Sequence, residues 1–251
     1  MKINDYVTRI SHNNDILFKI ISIKDNIAIL SGEDVRLIAD AYLDDLILSD
    51  IKDDFYPELN NDLDRSDYFY LPGRVLHIDG DETYLNRSMD FYKKNGVFAI
   101  GKKIKEKDIP NKLYFLLTEI KPDILVITGH DSIVNKCSDF NNINCYKNSK
   151  YFIDAVKIAR EYEPSHEKLI IIAGACQSFY EELIKSGANF ASSPKRCNIH
   201  ALDPSIIASS IAFTSKYKMI DLKNILAKTK YGSSGMGGLV GTGVMYTGYP
   251  R

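Results

Sequence analysis

With 251 residues and a net charge of −1, the chain can form one large domain or a medium domain with an appendage, and its bulk charge gives no pull toward nucleic acid or an anionic membrane. No apolar run approaches the ~20 residues of a bilayer span, and MKINDYVTRISHNND carries no apolar leader, so neither membrane insertion nor export is expected. Cys137, Cys145, Cys176 and Cys197 form no CxxC pair and read as free thiols of a reducing compartment; Cys197 with His200 lacks the second ligand pair of a zinc site, so no metal or cofactor is expected.

Residues 1–43 predict short strands at Tyr6–Ile10, Ile16–Ile23, Ile27–Leu30 and Val35–Ala39, split by the polar turns HNND, KDN and SGED. So many short strands in so little chain suggest a small SH3-like β-barrel. From 44 to 70 the chain turns acidic. Asp44, Asp45, Asp50, Asp53, Asp54, Glu58, Asp62, Asp64 and Asp67 stand against only Lys52 and Arg65. This reads as a solvated linker or as a docking segment for a basic partner, with Lys52 and Arg65 as exposed sites for self-cleavage.

Residues 71–251 then alternate strand and helix. Strands are expected at Arg74–Asp79, Val97–Ile100, Asp123–Thr128 and Leu169–Ala173, and weaker ones at Ala188–Ser192 and Asn198–Leu202. Helices are expected over Asp81–Asn95, Asp108–Ile120, Ser149–Glu163, Gln177–Lys185, Asp203–Phe213 and Asp221–Lys228, with Pro110 and Pro204 each just inside a helix start. Repeated βα units predict a doubly wound, mostly parallel sheet with helices on both faces. The glycine-rich Gly232–Gly248 is either a mobile tail or a hairpin folded back over the domain. Gly96 and Gly101-Lys102-Lys103 have phosphate-loop spacing, but Lys103 stands where a magnesium-binding hydroxyl belongs and the residues between are strand-like, so that reading is rejected.

The informative stretch is Lys168–Ser178, KLIIIAGACQS. Its apolar run does not alternate, so Leu169–Ala173 is a strand buried on both faces, and Cys176 lands where the strand stops. Alone, Cys176 reads equally well as a small core residue or as a nucleophile. DILVITGHD repeats the arrangement, with a buried strand, a glycine and then His130. The loop and helix between them fit a right-handed crossover, so the two strands can be neighbours ~4.8 Å apart. Two strand ends that deliver a thiol and an imidazole to one edge predict a catalytic dyad. The Cys176 amide and one within Gly129–Asp131 are candidate oxyanion donors, Gly174 clears space, and Asp131 either orients His130 or caps the local backbone. His200 is the one rival histidine; His77 reads as packed inside a strand.

A buried strand ending in histidine, followed by one ending in a small residue and cysteine, resembles the caspase-like cysteine peptidases of clan CD. One departure is that Asp131, not glycine, follows the histidine. NDYVTRISHNNDILFKIISI, RLIADAYLDDL, TGHD, AGACQS and SGANFASSPKRCNIHALDP together resemble the YabG family of sporulation peptidases over almost the whole chain. The resemblance implies a cysteine endopeptidase with His130 and Cys176 catalytic, acting on spore coat and cortex-associated proteins. It implies the cytoplasm of the mother cell as the site of synthesis, with the spore coat as a second location. It also suggests cleavage after arginine, with Asp203 as an acidic pocket floor and Ser192 and Ser193 lining it; Asp203-Pro204 otherwise simply starts a helix. A thiol-dependent amidase or acyltransferase on a small substrate, or a non-catalytic doubly wound binding module, are the alternatives.

Overall fold

The computed structural model describes residues 1–49, 55–57, 59, 63, 65–134, 137 and 139–250. Much of the acidic stretch (Asp50, Asp53, Asp54, Glu58, Asp62, Asp64) and Lys52 therefore lie outside the described residues. The chain divides into two compact units, Met1–Tyr56 and Pro57–Arg251.

In the first unit, β1 (Tyr6–Arg9), β2 (Phe18–Lys24), β3 (Ile27–Gly32), β4 (Ile38–Tyr42) and β5 (Leu46–Leu48) form one antiparallel sheet in the order β4-β3-β2-β1-β5. Leu46–Leu48 falls inside the expected linker yet pairs with β1. The buried face is Val7, Phe18, Ile20, Ala28, Leu30, Ala41 and Leu46. A register shift between Ile20 and Ser22 bends β2, as an extra unpaired residue does.

The second unit begins with β6 (Phe69–Leu71). Then come β7 (Val75–Asp79), α1 (Glu82–Lys94), β8 (Ala99–Lys103), α2 (Ile109–Ile120), β9 (Ile124–Thr128), α3 (Ser149–Tyr162), β10 (Ile170–Ala173), α4 (Tyr180–Lys185) and β11 (Phe190–Ser192). The chain closes with α5 (Asp203–Ala212), α6 (Leu222–Ala227), α7 (Gly232–Gly235), β12 (Met236–Gly238) and β13 (Tyr246–Gly248). The main sheet runs β12-β11-β10-β9-β7-β8, parallel except for β12 at one edge. The mixed α/β architecture with a mostly parallel sheet is the one expected.

Because β7, β9 and β10 are covered on both faces, nearly every residue in them is apolar, and alternate side chains feed two cores. Leu76, Ile78, Leu125, Ile127, Ile171 and Ala173 pack under α2, α3 and α4. Val75, Ile124, Val126, Ile170, Ile172 and Cys176 pack under α1, α5 and α6. The polar exception is a buried group on the second face. His77 Nδ1 meets Tyr92 Oη at 3.0 Å, His77 Nε2 meets Thr128 Oγ1 at 3.1 Å, and Thr128 donates to Asp79 at 2.8 Å.

Three expectations are revised. Cys137 and Cys145 are not free thiols but a disulfide, because the polar loop after β9 doubles back and brings their Cα atoms to 5.5 Å. Asn198–Leu202 is no strand; it turns across the end of β10. The glycine-rich tail is ordered but is not a hairpin, since β12 pairs with β11 and β13 pairs with β6. Gly238 fits there because a Cβ would collide with the Phe190 ring. Among the described residues no helix is long and apolar enough to cross a membrane, and no cluster of acidic, His and Cys side chains could hold a metal.

Candidate active site

The chain runs from β7 out to β8 and then back past β7 to β9, so connections leave β7 and β9 in opposite directions. In open α/β sheets the crevice at such a reversal, outside the carboxyl ends of the strands, is where ligands bind. Ladder pairing puts Val75 opposite Ile124 and Ile124 opposite Ile170. Six residues along each strand (75 to 81, 124 to 130, 170 to 176) come Asp81, His130 and Cys176. The ladder continues past the last strand residues, with Gly80 N–H on Thr128 O (3.2 Å) and Gly174 N–H on Ile127 O (3.0 Å). A carboxylate, an imidazole and a thiol thus follow the ends of three adjacent strands at the same count along the chain.

His130 is held on every side. Its Nε2 lies 3.2 Å from Asp81 Oδ2, and its ring meets the edge of Tyr84 at 5.8 Å. Its N–H donates to Glu106 Oε1 at 2.7 Å, and its carbonyl accepts from Asn148 Nδ2 at 2.8 Å. Asp81 serves two elements, because its Oδ1 caps α1 by accepting the N–H groups of Thr83 and Tyr84. The hydrogen bond from His130 outweighs burial and holds the Asp81 carboxyl below the usual carboxylate range. Both side chains remain partly open to solvent, 25% for His130 and 27% for Asp81.

Cys176 is fully buried, at 0% exposure. Its Sγ accepts the Ile199 N–H at 3.4 Å, from the turn whose composition suggests a strand. Gln177 takes a left-handed φ of 57°, and its N–H donates to Ser193 Oγ and to Cys197 O. Gly174 has φ 107°, and a Cβ there would lie 2.9 Å from Leu183. The sharp turn that presents Cys176 is therefore fixed from both flanks.

Asp131 turns away from the His130 ring. Its Oδ1 accepts the N–H groups of Ser132 and Asn148, while Oδ2 accepts the hydroxyls of Ser149 and Ser178. Those hydroxyls in turn accept the N–H groups of Phe179 and Ala175. The cluster ties the His130 loop to the Cys176 loop. Burial pushes the Asp131 carboxyl above its ordinary value despite the four donors.

Of the residues expected around the substrate, Ser192 is buried at the end of β11, and Ser193 (φ 63°) braces the Cys176 turn through its hydroxyl. Asp203 is buried at the start of α5, where Oδ2 accepts the His200 N–H and Oδ1 the Lys230 N–H. His200 is buried, with Nδ1 accepting the Leu202 N–H. Sequence reasoning missed Asp81, Glu106 and Ile199. Asp81 did carry a signal, since Asp79-Gly80-Asp81 and Thr128-Gly129-His130 both follow a buried strand with a glycine and a polar side chain.

The YabG peptidase U57 family model matches residues 2–61 and 57–250. The chain belongs to this peptidase family. Within the family, the sporulation-specific protease YabG of Bacillus subtilis (strain 168) is 40% identical over 283 residues, covering 99% of this chain and 98% of that protein. Family membership brings peptidase activity and, with it, protein substrates.

Proposed function

We propose that the chain is a sporulation-associated cysteine endopeptidase in which Cys176 is the nucleophile and His130 the general acid–base. The observation that carries this reading is that Asp81, His130 and Cys176 follow the ends of three neighbouring parallel strands, with the His130 ring on Asp81. With Nε2 of His130 on Asp81, the carboxylate supports the imidazole as it takes up and gives back the proton. The Cys176 thiolate attacks the scissile carbonyl, and the Cys176 amide with that of Gly129 or Asp131 receives the oxyanion. His130 protonates the departing amine, leaving a thioester that a water activated by the same imidazole hydrolyses. The His130 amide takes no part, because Glu106 already accepts it. Substrate must lift Ile199 from the sulfur before any of this begins.

The strand order, with one antiparallel edge strand, supports a caspase-like reading of the second unit, and the bent five-stranded sheet supports an SH3-like barrel in the first. Following the family resemblance, spore coat and cortex-associated proteins are the substrates, met in the mother cell or in the coat, and arginine precedes the cut bond. Asp203, with Ser192 and Ser193, is the candidate arginine pocket. The test is the mass of products from a purified coat protein. New C-termini ending in arginine, absent with Cys176→Ala, support the reading; full cleavage by Cys176→Ala ends it.

A further inference from the structure

The loop after β8 sends one side chain into the crevice where the chain reverses. A single 3-10 turn, Glu106–Asp108, sets the Glu106 carboxylate against the backbone of both central strand ends. A Cβ on Gly80 would collide with Glu106 Oε1, and one on Gly129 would lie 2.5 Å from the same oxygen. The two glycines face each other in the β7–β9 register (80 and 129, the offset of 75 and 124), so the absence of both Cβ atoms opens one slot, and Glu106 fills it. There Oε1 accepts the His130 N–H at 2.7 Å. Helix capping does not explain the side chain: the N-cap of α2 is Asp108, and among the described residues Glu106 accepts the His130 N–H instead.

We propose that Glu106 is a positioning residue for His130: through the slot between Gly80 and Gly129 it fixes the backbone from which the imidazole is aimed at Cys176 and the substrate. Asp81 sets the rotation of the ring, Asn148 holds the carbonyl, and Glu106 holds the amide. A charge-assisted bond from a carboxylate to a backbone N–H is among the stronger ones, suited to keeping one peptide plane in place. A general acid–base tolerates little displacement, and misplacement by about 1 Å costs on the order of 10²-fold in rate.

This rests on the cysteine-peptidase reading, so the experiment starts with a coat-protein substrate whose cleavage by the full chain is abolished in Cys176→Ala. If that variant still cleaves, the parent reading fails and the premise of the Glu106 proposal falls with it. Given that control, Glu106→Ala is expected to lower kcat by roughly 10–100-fold with KM within about 2-fold, because ground-state binding does not depend on the aim of His130. Glu106→Gln offers the same oxygen to the amide and is expected to recover most of the lost kcat. Gly129→Ala, whose methyl would expel the carboxylate, is expected to match Glu106→Ala, and the double variant to be no slower than either, since both cut one link. Wild-type kcat in Glu106→Ala overturns the proposal. So does a loss of kcat that merely follows a fall in melting temperature and that Glu106→Gln does not restore. Should Glu106→Ala fail to fold, Glu106→Gln and Gly129→Ala decide alone: a folded Gly129→Ala enzyme at wild-type kcat refutes it.

Discussion

Asp81 and Asp131 both lie close to His130, and the same side chain does different work in each place. Asp81 sits in the partly open crevice between β7 and β9, with one oxygen on the His130 ring and the other on the α1 N-terminus. Asp131 is buried in the seam where the His130 loop meets α3 and the Cys176 loop, and all its partners are N–H and O–H groups. The imidazole draws one carboxyl toward ionisation, while burial draws the other toward protonation. A carboxylate next to an imidazole can share in chemistry, whereas one enclosed by neutral donors organises the backbone. Chain order puts Asp131 beside His130, but strand register puts Asp81 on its ring.

The comparison can be broken most severely at the shared centre. Cys176→Ala and His130→Ala are each expected to take turnover to background while melting stays near wild type, as measured by cleavage of a coat protein alongside thermal unfolding. Next comes Asp81→Asn. Asn caps a helix as well as Asp does, so α1 keeps its start and only the His130 contact is weakened. A fall in kcat of roughly 10²-fold is expected, with a stability loss at neutral pH smaller than that of Asp131→Asn. Unchanged kcat would remove Asp81 from the site.

Asp131→Asn should show the reverse pattern. An amide cannot accept from all four donors, and each stranded donor costs about 1–3 kcal/mol, so a stability loss of about 2 kcal/mol is expected in denaturant melts. Turnover per folded molecule should fall less than in Asp81→Asn. Equal kcat losses in the two variants would erase the distinction.

Acid titration sharpens it with opposite signs. The folded pKa of Asp81 lies below its unfolded value of 3.8, so its contribution is full above 3.8 and lost as pH falls through the folded value. The stability gap between wild type and Asp81→Asn should therefore close in acid. Asp131 has a folded pKa above 3.8, so its ionisation costs stability as pH rises past 3.8. The gap between wild type and Asp131→Asn should widen in acid. Chemical denaturation at stepped pH distinguishes them, and parallel trends would contradict the assignment.

The smallest effect on turnover belongs to the disulfide. Cys137 and Cys145 are eight residues apart, so opening the loop with Cys137→Ser/Cys145→Ser removes at most ~2–3 kcal/mol of chain-entropy stabilisation. Turnover in that variant should stay within about 2-fold of wild type, as the bridge lies in the loop and not at a strand end.

The strands of the main sheet are legible because burial on both faces leaves unbroken apolar runs such as DILVIT and LIIIA. His130 and Cys176 follow from them, since a reactive side chain just past a buried strand and a glycine has one edge to reach. Asp81 is masked by its other role. In GDE ahead of an amphipathic helix it reads as a cap, which it also is. Glu106 sits in KEKD, a charge run that looks solvated until Gly80 and Gly129 are seen to make room for it. Ile199 and its neighbours have strand composition, but the Ile199 amide goes to the Cys176 sulfur, and no local pattern carries that information. Register is a tertiary property, and it decides which of several acidic residues the histidine meets.

The Ile199 turn over Cys176 has a chemical consequence as well as a steric one. A thiol at 0% exposure is closed to peroxide and alkylating agents as well as to peptides, because oxidation follows access to the sulfur. The Cys176 sulfur is therefore shielded from such reagents for as long as the Ile199 turn stays in place.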